Sequence, residues 1–443
     1  MAARAGALGV LLLSAGSAWL AITVPLAARA LQVGIAISVG YVAWLAWRGW
    51  RVMRTAIADA RGGAGEPTGL ARGLPFVSLV MPARNEAPVV GHAVASVASI
   101  AYAAADGEPA FELLVVDDGS VDATGDVARA AADGWAFVRV IRREPGQGPA
   151  TKGAVLAFAM PYLRGDVIGV VDADVAVDTW FLERAMHGWG RDESAVAMQV
   201  ARSPRNARRS WLTEAQAEEQ LMDVASQCGR WATDGTAELR GNGMFVNRDA
   251  LELAGGWNGR ALTEDLDLST RLSSGGSHVM VVPEAAVLEE AVEHAAILWR
   301  QRLRWAEGSL RRLLEHGPGL LAGSQPISRK ADFLAFTGEF LVPPLFLAAT
   351  LASLITVVLP GPSDWTVPFS LFIGYGLGTF VLALAGLSAA GEHGWSLLGR
   401  ATRGAIFLSH WLVVVPAALV RIAFGPSTPR FIQTPRTSRP PAS

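Results

Sequence analysis

Long uncharged apolar runs lie near both ends of the chain, and a segment of mixed polarity lies between them. Residues 5–28 and 30–47 contain no charged side chain and are separated only by Arg29. Each run is close to the roughly 20 residues that cross a bilayer as a helix. The pattern predicts a transmembrane hairpin over residues 1–54. A cleaved signal peptide is an alternative for the first run, which ends in small residues.

The C-terminal part of the chain has the same character. Residues 340–359 and 365–391 are apolar and are joined by a short turn rich in Pro and Gly, which predicts a second hairpin over 333–391. A last apolar run, 404–420, has arginines on both sides. Positive charge on both flanks favours an interfacial or re-entrant helix within 400–443, with a fifth crossing as the alternative.

The middle segment alternates short apolar runs with alanine-rich stretches. Breaker-rich segments at 61–73 and 317–329 flank it, which predicts a separate domain over 75–316. The pattern predicts four strands and three helices: strands at 77–81, 113–116, 138–141 and 167–171, and helices at 89–100, 123–132 and 153–162. This alternation is typical of an open α/β sheet, in which ligands bind beyond the carboxyl ends of the strands.

Composition narrows the class of protein. Only 18% of the 443 residues are charged, against about 25% in globular domains, and the mean hydropathy is +0.31. With 38 basic and 40 acidic residues, the net charge of −2 argues against nucleic acid as the main partner. The single cysteine, Cys228, excludes an intrachain disulfide and fits a reducing compartment. The composition therefore indicates a membrane protein with one soluble domain.

Polar and acidic side chains follow three of the predicted strands. The residues after the first, second and fourth strands are, in order, Pro82, Arg84 and Glu86; Asp117 and Asp118; and Asp172 and Asp174. Two carboxylates two residues apart can aim at one divalent cation, with phosphate oxygens as further ligands. Aspartate at a strand end also favours a turn without any ligand. Three such turns on one sheet edge favour a shared ligand site.

Lys152 follows a loop rich in Gly and Pro and opens a predicted helix. The loop, 145–151, fits neither the Walker nor the dinucleotide template, because its glycines are wrongly spaced. A helix N-terminus with a lysine in its first turn can still hold a phosphate.

Seven short motifs lie in order along the chain, at 77–86, 117–120, 152–153, 172–174, 241–243, 263–265 and 301–305. In order and approximate spacing they resemble the membrane-embedded family-two glycosyltransferases, which include the cellulose, mannan, chitin, hyaluronan and poly-N-acetylglucosamine synthases and the ceramide glucosyltransferases. The likeness covers about residues 75 to 310. The tail motif 431–436 is similar to the cytoplasmic tail of bacterial members, which supports four crossings.

The resemblance implies a GT-A type α/β domain inserted between transmembrane hairpins. It implies a nucleotide diphosphate sugar as donor, uridine-linked in most members, and Mg²⁺ or Mn²⁺ bound by Asp172 and Asp174. It assigns the remaining site residues as follows: Asp265 as catalytic base with Glu264 beside it; Pro82, Arg84, Glu86, Asp117, Asp118, Lys152, Asp172, Gln301, Arg304 and Trp305 to the donor; and Trp305, Gly241, Asn242 and Gly243 to the acceptor.

General chemistry supports these roles. Inverting transfer needs one carboxylate to take the proton of the acceptor hydroxyl, and cationic groups to neutralise the departing diphosphate. If a helix begins at Glu264, this residue and Asp267 share a face that Asp265 does not. The arginine fork of Arg304 suits a diphosphate. The neighbouring arginines 302, 311 and 312 are expected near lipid headgroups.

The expected activity is inverting, metal-dependent transfer to a growing β-glycan at the cytoplasmic membrane, with the catalytic domain in the cytosol. Single-step transfer to a membrane lipid is the alternative, and a non-catalytic nucleotide-sugar-binding scaffold is a third reading. Gly241, Asn242 and Gly243 replace the acceptor motif of cellulose synthases. This replacement and the small C-terminal membrane part leave a lipid acceptor open.

Topology gives the first testable prediction. Arg48, Arg51 and Arg54 follow the first hairpin, so the positive-inside rule places 48–329 and the tail after 421 in the cytoplasm. A reporter cysteine at Ser438, in a chain lacking Cys228, should be shielded from an impermeant thiol reagent added outside spheroplasts. Labelling from outside would make 404–420 a fifth crossing.

Overall fold

The computed structural model describes residues 2–62, 75–104, 107–358 and 365–425. These residues form two units. A helical unit comprises 2–53, 208–236, 292–358 and 365–425, and a sheet unit comprises 54–62, 75–104, 107–207 and 237–291. The domain expected over 75–316 therefore contributes two segments, 208–236 and 292–316, to the helical unit.

The described residues form seven strands and fourteen α-helices. The strands are β1 (Val77–Ala83), β2 (Phe111–Asp118), β3 (Val138–Arg143), β4 (Val167–Val170), β5 (Ala197–Pro204), β6 (Met244–Asn247) and β7 (Val279–Glu289). The helices are α1 (Ala2–Thr23), α2 (Pro25–Gly62), α3 (Val90–Ala98), α4 (Thr124–Ala132), α5 (Lys152–Ala159), α6 (Phe181–Trp189), α7 (Trp211–Trp231), α8 (Arg248–Leu253), α9 (Glu264–Ser274), α10 (Ala295–Ala322), α11 (Ile327–Val358), α12 (Thr366–Ala389), α13 (Gly394–Leu408) and α14 (Trp411–Phe424).

The sheet unit is built on one mixed sheet with strand order β3-β2-β1-β4-β6-β5-β7. Strands β1 to β4 are parallel, whereas β6 runs antiparallel to both β4 and β5. The central strands are continuous apolar runs because both of their faces are covered. Val80, Leu114, Ile168 and Val246 are all buried in one core cluster with Leu268 of α9.

The first half of this sheet agrees with the sequence pattern. The four predicted strands coincide with β1 to β4, and the three predicted helices coincide with α3, α4 and α5, with boundaries that differ by a few residues. The 3₁₀ turn Met160–Tyr162 ends the third predicted helix. The open α/β sheet is therefore confirmed.

Among the described residues, five helical segments are long and apolar enough to cross a membrane: Ala3–Thr23, Pro25–Arg61, Ile327–Val357, Thr366–Ala389 and Gly394–Phe424. The first two meet at Val24 and not at Arg29 as the charge pattern suggested. Pro25 explains the difference, because proline cannot continue a helix but fits its first position.

The last of these segments consists of α13 and α14, which are separated at Ser409 and His410. Arg400 and Arg403 of α13 both contact the buried carboxylate of Glu218 on α7, with Arg400 Nε 3.0 Å from Glu218 Oε1. These arginines are thus neutralised by an ion-pair network. Because their charges are paired, Arg400 and Arg403 are weak evidence that 404–420 has a positively charged flank on this side. An interfacial or re-entrant helix and a fifth crossing both stay predictions for this segment.

The expected break at 317–329 differs in the structure. The breaker-rich segment 317–329 is mostly helical, since α10 continues through Pro318 to Ala322 and α11 begins at Ile327. Only 323–326 separates the two helices. The linker beyond Gly62, the turn 360–364 and the tail motif 431–436 lie outside the described residues.

Helix α7 packs against α2 through two glycines. A Cβ added to Gly49 would lie 1.8 Å from Ala225 O, and one added to Gly229 would lie 2.2 Å from Leu45 O. Real side chains do not approach backbone atoms so closely, so the crossing requires glycine on both helices.

We expect Gly49→Ala to destabilise the protein by about 1–3 kcal/mol or more, because the methyl group overpacks this crossing. Gly40→Ala on the same helix is the matched control, since a Cβ there meets nothing within 4 Å. The control should be neutral or slightly stabilising through its helix propensity. Thermal unfolding of the purified full chain in detergent measures both. Equal melting temperatures would contradict the assigned crossing.

Candidate active site

The carboxyl ends of β1, β2 and β4 meet at one edge of the sheet because these strands are parallel neighbours. Strand β6 runs the other way, so the loop before it reaches the same edge, where the Gly243 N–H donates to the Val170 carbonyl at 2.9 Å. The structure thus brings together the three polar turns and the loop 241–243. This shared edge is what the sequence analysis expected.

The turn after β1 is bound to the turn after β2. Asn85 has a left-handed φ of 51°, a conformation that asparagine tolerates better than most residues. Its N–H donates to Ser120 Oγ at 3.0 Å, and its Oδ1 accepts from the Val121 N–H at 3.0 Å. The Glu86 N–H donates to Thr124 Oγ1 at 2.8 Å. These bonds hold both turns in one shape.

The two acids at the end of β2 have different surroundings. Asp117 is 1% exposed, and its carboxylate accepts from the Ser120 N–H at 3.0 Å and from Arg142 Nη1 at 2.8 Å. The Asp118 side chain is 11% exposed and accepts from Arg143 Nε at 2.6 Å. Asp117 therefore holds the turn together, while Asp118 keeps some exposure.

The remaining expected donor residues of this region lie close by. Pro82 lies within β1 opposite Val116, and the side chain of Glu86 is buried. Arg84 is exposed, with Nη1 3.5 Å from Asp118 Oδ2. Among these three, Arg84 is the side chain with most access to solvent.

Lys152 begins α5 and joins three parts of the edge. Its Nζ lies 2.6 Å from Asp172 Oδ1, donates to the Gly241 carbonyl at 3.0 Å, and lies 3.7 Å from Glu264 Oε1. Burial acts to lower the pKa of this ammonium, but the carboxylates of Asp172 and Glu264 outweigh it and raise the pKa above its ordinary value. Lys152 is therefore a fixed positive charge between two acidic groups.

Glu264 and Asp265 open α9 beside this lysine. Burial raises the pKa of Glu264 to about 7, with the Asp265 charge adding to the effect and Lys152 opposing it. Burial also raises the pKa of Asp265, although the Leu266 N–H, 2.8 Å from Oδ1, and then Lys152 favour its charged form. Because the two acids interact, they titrate in two steps that belong to the pair and not to either residue alone. Burial therefore makes both carboxyls more basic than exposed ones.

Asp267 belongs to a different environment. Its carboxylate accepts from Asn258 Nδ2 at 3.0 Å and from Arg271 Nε at 2.8 Å. The helix begins at Glu264 as expected, with Thr263 at the N-cap position but without a side-chain capping bond. Asp267 thus stabilises α9 and its neighbouring loop.

The loop 241–243 requires its glycines. Gly241 has φ +80° and Gly243 has φ +69°, values that favour glycine. A Cβ on Gly241 would lie 3.1 Å from Asp265 Oδ2 and 3.7 Å from Lys152 Nζ. Asn242 Oδ1 accepts from the Asp172 N–H at 3.1 Å. The loop therefore places bare backbone against the acid pair and orients the turn after β4.

Asp172 and Asp174 fit a divalent cation by their chemistry, since both offer hard carboxylate oxygens two residues apart after one strand. The Asp172 side chain is 31% exposed, whereas Asp174 is 1% exposed and accepts from the Glu290 N–H at 3.3 Å. In the described parts of the chain, no group of three or more His, Cys, Asp or Glu side chains is arranged to hold a metal. A cation here would need oxygens of a bound diphosphate as further ligands.

Gln301, Arg304 and Trp305 lie on α10, in the helical unit. Arg302 is 5% exposed, pairs with Glu219, and places its guanidinium 4.2 Å from the centre of the Trp305 ring. Arg302 and the buried Arg312 are therefore packing residues, and the expectation that they meet lipid headgroups is wrong. The donor and acceptor roles of the first three residues stay predictions.

A family model described as "Glycosyltransferase like family 2" matches residues 75–308, which include every strand of the sheet. The chain belongs to glycosyltransferase family 2. This family consists of enzymes, so the likeness goes beyond a shared fold. The match begins and ends close to residues 75 and 310, the limits that the motifs gave.

Relatives of this glycosyltransferase include two proteins named β-monoglucosyldiacylglycerol synthase. The protein from Synechocystis sp. is 32% identical over 81% of this chain and 74% of its own length, and the protein from Nostoc sp. is 31% identical over 82% and 77%. A mannosyltransferase from Pyrobaculum calidifontis, solved with GDP-Man and Mn²⁺, is 17% identical with a TM-score of 0.56, covering 88% of this chain and 99% of its own. That structure supports the GT-A type fold.

Sequence reasoning missed several charged residues that contact the predicted site residues. Arg143 pairs with Asp118, and Glu289 at the end of β7 accepts from Asn242 Nδ2 at 3.1 Å. Arg202 Nη1 lies 3.8 Å from Glu289 Oε1, and Arg240 Nη1 lies 2.9 Å from Oε2 of the buried Glu238. Of these residues, only the arginine doublet 142–143 is marked by a sequence pattern. It follows a predicted strand directly, as the acidic doublet 117–118 does.

The raised pKa of Glu264 gives a testable pH dependence of stability. A carboxyl whose pKa rises from 4.5 to about 7 on folding contributes stability that is complete below pH 4.5 and is lost as the pH rises through 7. Glu264→Gln removes this loss, so the variant should gain up to about 3 kcal/mol over wild type at pH 8 and nothing near pH 4. Thermal unfolding across this range measures the difference.

Glu252→Gln on α8 is the control, because the Glu252 side chain is 60% exposed. Its difference from wild type should stay flat with pH. A flat difference for Glu264→Gln as well would show that Glu264 ionises without cost in the folded protein.

Proposed function

We propose that this family 2 glycosyltransferase transfers a hexose, with inversion, from a nucleotide diphosphate sugar to the hydroxyl of a diacylglycerol-like membrane lipid. The observation that carries this proposal is the extent of the likeness to relatives named β-monoglucosyldiacylglycerol synthases. It spans 367 residues and therefore extends beyond the family domain at 75–308 into the apolar helices. Elongation of a β-glycan, the first expectation from the sequence, has weaker support than this lipid acceptor.

The five apolar segments fit a lipid acceptor physically. A diacylglycerol partitions into the bilayer, so an enzyme that uses it must work at the membrane surface. In this proposal the sheet unit faces the cytoplasm, where nucleotide sugars are made.

Asp265 is the proposed catalytic base. In an inverting step the acceptor oxygen attacks the anomeric carbon, its proton passes to Asp265, and the bond to the diphosphate breaks with the electron pair leaving on the diphosphate. Burial raises the pKa of Asp265, which makes it a better proton acceptor than an exposed aspartate. Glu264 and Lys152 complete the charge balance around it.

The departing diphosphate needs positive charge. Lys152 supplies one cation at the sheet edge, and Arg304 is the proposed second group. Asp172 and Asp174 would hold Mg²⁺ or Mn²⁺, which when bound would neutralise diphosphate charge.

The decisive experiment offers the purified full chain in detergent four donors, namely UDP-glucose, UDP-galactose, UDP-N-acetylglucosamine and GDP-mannose, with and without diacylglycerol. We expect release of nucleoside diphosphate that depends on diacylglycerol, and labelled sugar that extracts into organic solvent. Labelled product that stays in the aqueous phase would favour glycan elongation. No release from any donor would overturn the proposal.

Asp265→Asn should reduce transfer by roughly 10²-fold or more, because the acceptor proton then lacks its base. Binding of UDP should stay near that of wild type, since the proposed role begins only when the acceptor is present. Isothermal titration with UDP and product formation measure the two effects separately. Asp267→Asn is the matched control on the same helix and should be much milder. Loss of transfer in the control but not in Asp265→Asn would mean that the base is misassigned.

Removal of divalent metal should abolish turnover, because two carboxylates beside a diphosphate repel it unless a cation intervenes. Excess EDTA is added to the assay, and Mg²⁺ or Mn²⁺ is then restored in slight excess. Recovery on restoration is the expected result. Full turnover in excess chelator would rule out the metal role of Asp172 and Asp174.

A further inference from the structure

Two ion pairs join the ends of β2 and β3 in register. Asp117 lies opposite Arg142 and Asp118 lies opposite Arg143 in this parallel pair of strands. Successive residues of a strand point to opposite faces, so the two ion pairs lie on opposite faces of the sheet. They are separate interactions despite their adjacency in sequence.

Arg143 bridges Asp118 to the loop 145–151, which leads into Lys152 at the start of α5. The Arg143 side chain is 4% exposed, with Nε 2.6 Å from Asp118 Oδ1 and Nη2 donating to the Pro149 carbonyl at 2.9 Å. Gly148 has φ +132°, and a Cβ there would lie 3.2 Å from Arg143 Nη1. The guanidinium thus fixes the acid and the loop together through Nε and Nη2.

The other arginine contacts Glu144, directly before this loop, with Arg142 Nε 3.1 Å from Glu144 Oε1, and its Nη2 donates to the Ser120 carbonyl at 3.3 Å. The Arg142 side chain is 40% exposed, and Asp117 is already held by the Ser120 N–H. A Cβ on Gly125 would lie 2.8 Å from Asp117 Oδ2, so α4 also packs on this acid. Asp117 is enclosed by its own turn, whereas the position of Asp118 depends on Arg143.

We infer that Arg143 is a positioning residue for binding of the donor nucleoside. Arg143 holds Asp118 and the loop 145–151 together as one preformed surface before the nucleotide binds. The inference rests on the proposed nucleotide-sugar donor. A group that is preformed in the free enzyme improves binding by removing the entropy of ordering it. Arginine suits this task because Nε and Nη2 of one planar guanidinium face the two acceptors in fixed directions, whereas a lysine presents a single nitrogen on a flexible stem.

The test compares Arg143→Gln and Arg143→Lys with wild type in the full chain, using the donor of the four-member panel that wild type turns over fastest. Arg139→Gln is the matched control. It removes another ion pair of β3, in which Arg139 Nη2 lies 2.7 Å from Glu112 Oε2. Glu112 lies near the start of β2, away from the carboxyl ends of the strands. Donor KM, kcat and UDP binding are measured for each variant, together with the melting temperature.

We expect Arg143→Gln to raise the donor KM and the Kd of UDP by about tenfold or more, the scale of a lost charge-assisted hydrogen bond, with kcat changed by less than about threefold. Arg143→Lys should restore little of this loss, because two nitrogens of the guanidinium hold the two acceptors and a lysine offers a single nitrogen on a flexible stem. In an Asp118→Asn background, Arg143→Gln should add little further increase, because it acts through Asp118.

Three results would overturn the inference while leaving the proposed function intact. These are a donor KM for Arg143→Gln equal to that of Arg139→Gln, full recovery by Arg143→Lys, and multiplicative effects in the double variant. If Arg143→Gln does not fold, Arg143→Lys carries the same cycle with Asp118→Asn. A wild-type protein that uses no donor and binds no UDP would instead overturn the proposed function, and the inference with it.

Discussion

The Lys152 ammonium is the contact on which the rest of the site depends. It binds the carboxylate after β4, the carbonyl of the loop before β6, and lies beside the first acid of α9. These groups come from three distant parts of the sequence, and without a cation between them the two carboxylates would repel each other. One side chain therefore decides whether the turn after β4, the glycine loop and the acid pair form a single site.

The site is arranged at a cost to stability. Glu264 and Asp265 are buried next to each other, and burial raises the pKa of both. Removing charged carboxylates from water is unfavourable unless they are paired, and Lys152 balances only part of this charge. Strain of this kind is common where a protein keeps a basic carboxylate ready for proton transfer. Continuous apolar strands of the sheet and ion pairs such as that of Arg271 with Asp267 within α9 offset this cost.

The sequence predicted the elements that repeat a simple pattern. Strands β1 to β4 and helices α3 to α5 follow from apolar runs between alanine-rich stretches, and the acids after the strands follow from the rule that ligands bind at carboxyl ends. Charge alone places the break between the first two helices at Arg29, whereas the backbone chemistry of Pro25 places it at Val24. The helix through Pro318 was missed because tertiary packing overrides local breakers.

Contacts between residues far apart in sequence were not predictable from one chain. The bond from Asn242 to the Asp172 N–H joins residues 70 apart, and the crossing of Gly49 with Ala225 joins two helices whose pairing no local pattern shows. The burial of Arg302 against Trp305 was likewise not predictable, because an arginine-rich helix has the same sequence pattern whether its charges face lipid headgroups or other parts of the protein. The roles of individual site residues stay predictions until the proposed variants are made.

The paired doublets of β2 and β3 also act as a check on strand alignment during folding. If β3 slipped by one residue, every side chain of the strand would move to the opposite face. Asp118 would then face Arg142 while Arg143 lost its acid, and charge would be buried without a partner. Parallel strands form slowly because their contacts are distant in sequence, so misaligned intermediates are a hazard for such sheets. Two adjacent acid–arginine rungs make the misaligned state unfavourable, so the same four residues that shape the edge of the site also select the correct register of the sheet.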